Sequence, residues 1–195
     1  MEPLENLHRY NVILSSNSPR RRELLSELGI DFSIKVIKGI DESYPPQLPP
    51  NQVAEYISRK KADAYKKLIS GNELVITADT IVLLGDKVMG KPKDNDDACK
   101  MLKSLSGKVH KVITGVTITT AELQKSFSVV SEVEFAELTD DEISYYVGRF
   151  KPLDKAGAYG IQEWIGCIGV KSINGSFYNV MGLPVQRLYT ELKKF

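Results

Sequence analysis

The chain has 195 residues, of which 42% are hydrophobic, which is enough for a sizeable core in one domain or two joined lobes and excludes a mainly disordered chain. Lys and Arg total 26 against 25 Asp and Glu, a formal net charge of +1. That balance gives no support to general nucleic-acid affinity and leaves room for a local basic cleft. Cys99 and Cys167 stand in unlike contexts and form neither a metal motif nor a disulfide framework. Two free thiols in a reducing compartment are expected. The stretch MEPLENLHRY carries acids and no apolar h-region, so it does not read as a signal peptide. No run of about 18 apolar residues is present to span a membrane. The expected localisation is cytoplasmic, with no membrane and no nucleic-acid partner.

Residues 10–15 read as a strand, and 18–28 as a helix closed by Gly29. Ser18 suits the N-cap and Pro19 the first helical position. Arg20, Arg21 and Arg22 then fill the first turn. This is the wrong end of a helix for cations, because the free N–H groups and the dipole there favour anions. Leu24, Leu25 and Leu28 define the apolar stripe, with Arg21 closest to the buried side. The arginines either point outward and pair with acids elsewhere, or wait for a polyanionic ligand at the helix end. In the second reading SSNS supplies hydroxyls and exposed N–H groups, as in an anion nest. No P-loop signature is present.

A second strand, DFSIKVIK, is expected next, followed by the Pro-rich loop GIDESYPPQLPP. That loop carries Asp41 and Glu42 just after a strand, a place where functional groups often lie. Residues 51–69 form a helical pattern with Val53, Ile57, Ala64 and Leu68 among its apolar positions. LVITADTIVLL, 74–84, reads as a buried strand interrupted near Asp79 and Thr80. A carboxylate there is costly unless it reaches a cleft, a cation or a metal. After the Gly85-Asp86 turn comes a short return, KVMG, then Lys91 on a loop. Asp94 and Asp97 form an acidic variant of a capping box for a helix over 95–104.

Two long β runs follow, KVHKVITGVTITTA and KSFSVVSEVEFAEL, the second a candidate antiparallel partner of the first. Thr139 and Glu142 make a capping box for a helix over 140–147. DKAGAYG places Asp154 and Lys155 among small residues that permit close ligand approach. IGCIGVKSI reads as a strand, and Pro184 begins a terminal helix. His110 lies in an apolar run and reads as a hydrogen-bonded structural residue, with a supporting role near a site as the alternative. The element order is mixed α/β, with parallel crossovers early and antiparallel pairs later. One domain over 1–195 is expected, with two lobes flanking a cleft. Carboxylates beside many phosphate-binding cations suggest metal-assisted phosphoryl chemistry.

Taken together, these stretches resemble the Maf family of nucleoside triphosphate pyrophosphatases over nearly the whole chain. They are S-x-S-P-R-R-x-E-L-L at 16–25, the Asp41-Glu42 pair, R-K-K-A at 59–62, A-D-T at 78–80 and G-K-P at 90–92. G-K-x-H-x-V-x-T-G at 107–115, D-K-A-G-A-Y-G-I-Q at 154–162 and N-V-x-G-L-P at 179–184 complete the order. The resemblance implies a mixed, strongly twisted α/β sheet similar to inosine triphosphate pyrophosphatases. It implies hydrolysis of an acid anhydride between the α and β phosphates with a divalent cation, Mg²⁺ or Mn²⁺, and a homodimer. It puts the catalytic aspartate at Asp79 and specificity at Arg20, Thr80 and Gln162. Phosphate binding is expected at Ser16, Ser18, Arg20, Arg21, Lys61, Lys91 and Lys155, and metal binding at Glu42 and Asp79. Arg22 is expected to be an ordinary solvated side chain.

The segment ending in Gln162 is similar to the branch acting on dTTP and UTP; another branch, acting on 7-methyl-GTP, has a different segment here and lacks this Gln, and a third subgroup accepts several pyrimidine nucleotides, CTP included. Removal of non-canonical nucleotides is a cellular role the resemblance suggests. Two departures stand out. Asn17 replaces a small residue and could narrow the phosphate loop. Glu163-Trp164 follows Gln162 where the family often has Gly, with Trp164 lining a base pocket or belonging to the core. The alternatives from other classes are a nucleotide-binding regulator of cell division or septation with little turnover, and a structural α/β module.

Overall fold

The computed structural model describes residues 3–69 and 71–195. Met1 and Glu2, the first residues of the stretch read above for a signal peptide, lie outside the described residues. Among the described residues, seven strands form one mixed sheet in the order β2-β1-β3-β5-β6-β7, with β4 paired to β3. They are β1 (Asn11–Ser15), β2 (Ser33–Ile34), β3 (Glu73–Leu84), β4 (Lys87–Met89), β5 (Val109–Thr119), β6 (Gln124–Phe135) and β7 (Val170–Asn174). The helices are α1 (Pro19–Ser26), α2 (Val53–Lys66), α3 (Asn95–Leu105), α4 (Asp140–Phe150), α5 (Trp164–Gly169), α6 (Phe177–Met181) and α7 (Val185–Leu192). The chain divides into two compact units. The first comprises Met1–Asp79, Thr114–Val129 and Gly182–Phe195, and the second Thr80–Ile113 and Val130–Met181.

In the first unit β1 pairs in parallel with both β2 and β3, as the early crossovers require. Tyr65 of α2 is buried against Ile13 and Val75. Its hydroxyl is a hub: it donates to Lys35 O at 2.5 Å, lies 2.8 Å from Ser15 Oγ, and accepts the Ile37 N–H at 2.8 Å. Helix α2 lies on β5 at Gly115, where an added Cβ would fall 2.3 Å from the Ala54 carbonyl carbon and the Glu55 nitrogen. One turn on, Ser58 Oγ meets Thr117 Oγ1 at 2.9 Å, and the Thr77 hydroxyl donates to Ser58 O at 2.8 Å.

In the second unit β3 pairs antiparallel with β4, and β6 with β7. The core runs through Leu102, Leu105, Phe135, Tyr146, Val147 and Ile165. The antiparallel expectation for β5 and β6 agrees with the bonds at each end of the pair. Thr120 N donates to Leu123 O at the turn, while Gly107 N donates to Ala136 O and Phe135 N to Lys108 O at the far end. Both Thr139–Glu142 capping-box bonds form. Asp94 caps α3 by accepting the Asp97 N–H, but the Asp97 carboxylate takes the Lys93 N–H instead of closing the box.

Four expectations change. The second strand shrinks to Ser33–Ile34, whose residues are exposed on both sides and gain little from pairing. β3 is continuous through Asp79, because the carboxylate meets an ammonium and the strand need not break. The long helix ends at Lys66, leaving Leu68 53% exposed and Tyr65 in the core position instead. The expected strand IGCIGVKSI is helical over Trp164–Gly169 and extended only from Val170.

Gly115→Ala is predicted to destabilise the fold by about 3 kcal/mol or more, since its Cβ would meet helix backbone rather than a movable side chain. Urea unfolding against Gly90→Ala, where a Cβ meets nothing within 4 Å, checks this.

Candidate active site

Seven of the residues singled out in the sequence lie in the first unit: Ser16, Ser18, Arg20, Arg21, Glu42, Lys61 and Asp79. The geometry begins at the end of β1. Ser18 caps α1, its Oγ accepting the Arg21 N–H at 3.4 Å, while Ser16 Oγ accepts the Ser18 N–H at 3.1 Å. Both hydroxyls act as acceptors in these bonds, so their own protons point elsewhere and suit an anion at the helix end. Asn17 is exposed between them.

Arg21 does turn to the buried side. Its Nε donates to Gly182 O at 2.8 Å and its Nη1 to Ala78 O at 2.9 Å. The guanidinium therefore pins α1 to β3 one residue before Asp79, and to the segment that opens the terminal helix. Burial lowers the Arg21 pKa, opposed by the negative charge of Asp79 and reinforced by Arg20, with Glu42 also within its field. Two cations and two carboxylates thus share one electrostatic neighbourhood. Arg22 departs from the solvated side chain expected of it. It leans back to donate from Nη2 to Ser16 O at 3.4 Å, and its Nε is buried without a hydrogen-bond partner.

Lys61 lies on the face of α2 that descends past Ala54 and Ser58 onto the sheet. Its ammonium sits 2.8 Å from Asp79 Oδ1 and 3.0 Å from Glu42 Oε1. Lys61 and Asp79 are each only 15% exposed at the side chain. The neighbouring Asp41 is a surface group. Its carboxyl is held well below the usual range by the Lys60 ammonium and then by Ser43. Glu42 and Asp79 converge on one positive charge, and hard carboxylate oxygens of this kind suit Mg²⁺ or Mn²⁺. Among the described residues no cluster of three or more His, Cys, Asp or Glu forms a metal cage. Two carboxylates by themselves would leave the other positions of such an ion to phosphate oxygens and water.

The second unit begins at Thr80, the residue after Asp79 on β3, which is half-buried. Lys91 is exposed, and Gly90 just before it accepts the Gly157 N–H at 3.0 Å, which ties this loop to the 154–162 segment. Lys155 is buried, its ammonium 2.7 Å from Asp154 and 3.1 Å from Glu163. It reaches a phosphate only by exchanging carboxylates it already holds. Gln162 is exposed. Trp164 packs against the core of the second unit, the second of the two roles foreseen for it. It is half-buried, edge-on to the exposed Tyr145 ring at 4.9 Å. Sequence reading missed Tyr65, Tyr146 and Asn179. Asn179 bonds Val112 O and Ser131 Oγ inside the second unit. Nothing in their immediate neighbours along the chain marked them, apart from Asn179's place in N-V-x-G-L-P. Cys99 and Cys167 are free thiols, as expected.

His110 is a core residue, 1% exposed, with Phe135 and Tyr159 edge-on to it. Its Nε2 lies 2.8 Å from Tyr159 OH, and Nδ1 is buried with no hydrogen-bond partner. Burial depresses its pKa to about 4 from an ordinary 6.5.

Residues 11–195 match the family model described as Maf-like protein. The fold is shared with a solved HAM1 protein from Coxiella burnetii, with a TM-score of 0.50 at 15% identity, covering 95% of this chain and all of that one. Among curated relatives, the "dTTP/UTP pyrophosphatase" of Bacteroides thetaiotaomicron is 60% identical over 191 residues, covering 98% of this chain and 99% of the relative. Its namesake from Phocaeicola vulgatus is 61% identical with the same coverage. A Porphyromonas gingivalis relative of the same name is 51% identical over 194 residues, covering 98% of each chain. The chain belongs to the Maf-like family.

Because the unfolded chain binds a proton at His110 near pH 6.5 and the folded chain only near 4, the unfolded state gains protons first as pH falls. The stabilisation from neutral His110 is complete above pH 6.5 and is lost towards pH 4, up to about 3 kcal/mol. Urea unfolding of the parent and of His110→Gln at pH 7 and pH 5 should show a smaller pH loss in the variant. Equal losses would contradict the assignment.

Proposed function

We propose that the chain is a nucleoside triphosphate pyrophosphatase that hydrolyses dTTP and UTP to the nucleoside monophosphate and pyrophosphate. The observation that carries this reading is the half-buried Lys61–Asp79 pair, joined by the exposed Glu42, in the electrostatic field of Arg20 and Arg21 at the N-terminal end of α1. The named activity of relatives at 60% identity over nearly the full chain supports it.

The triphosphate rests against the first turn of α1, where the hydroxyls of Ser16 and Ser18 donate to its oxygens and Arg20 supplies charge. Arg21, tied to two carbonyls, holds this turn against β3 and adds its field rather than a fully open fork. Lys61, Lys91 and Lys155 reduce the remaining phosphate charge. Lys61 fixes Asp79 Oδ1 and so orients the carboxylate that takes the proton from water as its oxygen bonds to the α phosphorus. The bond from the α phosphorus to the bridging oxygen breaks, and pyrophosphate departs with that oxygen. Glu42 and Asp79 are the groups that would hold Mg²⁺ or Mn²⁺. A bound divalent ion screens phosphate charge and makes water easier to deprotonate. The side chains of Thr80 and Gln162 read the pyrimidine edge, because an amide left unpaired by the wrong base disfavours it.

Hydrolysis of a nucleotide panel with product identification tests the reading. dTTP and UTP should be the preferred substrates, with monophosphate and pyrophosphate as products. Chelation should abolish turnover, and Mg²⁺ or Mn²⁺ should restore it. Binding without turnover would favour a nucleotide-binding regulator instead. Asp79→Asn should lower kcat about a thousandfold with the circular dichroism spectrum unchanged. Near-parental turnover would remove Asp79 from its role. Gln162→Ala should bring the dTTP, UTP and CTP efficiencies together, and unchanged ratios would exclude it as a base reader. Sedimentation would show whether the chain forms the homodimer implied by the family resemblance.

A further inference from the structure

The segment from Asp154 to Glu163 carries Lys155 and Gln162, and one carboxylate closes it. Glu163 Oε1 lies 3.1 Å from Lys155 Nζ, and Glu163 Oε2 accepts the hydroxyl proton of Tyr146. The same hydroxyl oxygen accepts the Gly160 N–H at 3.0 Å. Glu163 N donates to Gly160 O at 3.0 Å, which makes 160–163 a hydrogen-bonded turn with Ile161 and Gln162 at its two central positions. Ile161 is 6% exposed and anchors the turn inward, while Gln162 is exposed. A Cβ on Gly160 would lie 2.8 Å from Glu163 Cδ and 3.0 Å from Lys155 Cε, so the ion pair folds directly over the turn's backbone. Tyr146 is fully buried on α4, and its phenol is raised far above its ordinary pKa by burial and then by Glu163, so it remains a donor. Both corners of the turn that presents Gln162 are therefore fastened to one hydroxyl.

We infer that Glu163 and Tyr146 are positioning residues that fix the Gln162 turn and the Lys155 ammonium, and so help set nucleotide preference. This inference rests on the function proposed above. It assigns a role to a residue that stands where the resemblance leads one to expect glycine. A carboxylate at 163 performs two tasks at once: its charge holds Lys155 and its geometry holds the turn. Glutamine at this position can still accept the Tyr146 proton but carries no charge for Lys155. Phenylalanine at 146 leaves the Gly160 N–H unpaired and Glu163 without its donor.

The test uses the full chain as parent, E163Q, Y146F and the double variant, each first checked for a cooperative thermal transition. Amine acetylation followed by mass spectrometry reads the state of Lys155 without needing turnover. Steady-state kinetics on dTTP, UTP and CTP read the turn. E163Q should raise the Lys155 acetylation rate about tenfold, since the buried ammonium loses a partner. E163Q and Y146F should each shift the ratio of kcat/KM between dTTP and CTP by about fivefold or more. The double variant should show non-additive effects, because both residues act on one turn. A lowered Tm with an unchanged acetylation rate, or with unchanged nucleotide ratios, would overturn the inference by reducing the pair to a stabilising contact. If the parent hydrolyses no nucleotide, the proposed function fails, and the acetylation contrast alone decides whether the clamp exists.

Discussion

The approach of α2 to the sheet at Gly115 sets the positions of the charged groups in the first unit. With no side chain on that residue, the Ala54 backbone rests directly on β5, at a distance that even a methyl group would not allow. Residues 54, 58 and 61 follow one helix face. Once Ala54 is seated, Ser58 reaches Thr117 and its carbonyl takes the Thr77 hydroxyl. Lys61 then arrives beside Asp79, which shares a face of β3 with Thr77 because the two are separated by one residue. The ion pair at the centre of the proposed chemistry is thus placed by a contact that contains no charge.

That pair also accounts for an uninterrupted β3. An aspartate within an apolar strand invites the expectation of a break, since an unpaired carboxylate is costly there. A lysine from α2 removes the cost, and the ladder continues. The three arginines on α1 resolve in a similar way, though unequally. Arg21 finds two backbone carbonyls, Arg22 turns back onto Ser16, and Arg20 contributes charge at the helix end. Cations at a helix N-terminus oppose the dipole. Here the carbonyl bonds of Arg21 offset the mismatch, and the positive field they leave suits a phosphate chain.

In the second unit two buried phenol hydroxyls tie polar groups together inside the fold, while ion pairs such as Lys103–Asp140 and Lys171–Glu134 stay at the surface. Tyr146 and Tyr159 are both buried and each satisfies a polar partner, Glu163 with Gly160 in one case and His110 in the other. Buried phenols pack like any aromatic ring while supplying one directed bond. They hold a glycine-rich segment that has little side-chain mass of its own. Gly157, with φ +68 and a Cβ position 2.8 Å from Val82, lets that segment lie against β3.

Much of this was determined by the amino-acid sequence itself. The β-branched runs, the caps at Ser18, Asp94 and Thr139, and the parallel-then-antiparallel order are local signals, and local hydrogen bonding and side-chain sterics enforce them. Arg20, Arg21, Glu42, Asp79, Thr80, Lys91 and Lys155 were legible as charged or polar groups at a helix start, in loops or within an apolar strand, whereas Lys61 and Gln162 were implied only by the family resemblance. Only the tertiary structure decided the rest. It decided that Lys61 meets Asp79, that Arg21 serves carbonyls, that IGCIG coils into α5 and that Tyr146 donates to Glu163. A six-residue apolar stretch favours helix and strand almost equally, so packing against Ile161 and Leu138 settles it. Long-range partners such as 61 with 79, or 146 with 163, are fixed by where the backbones come to rest, and no periodicity in the chain encodes that meeting.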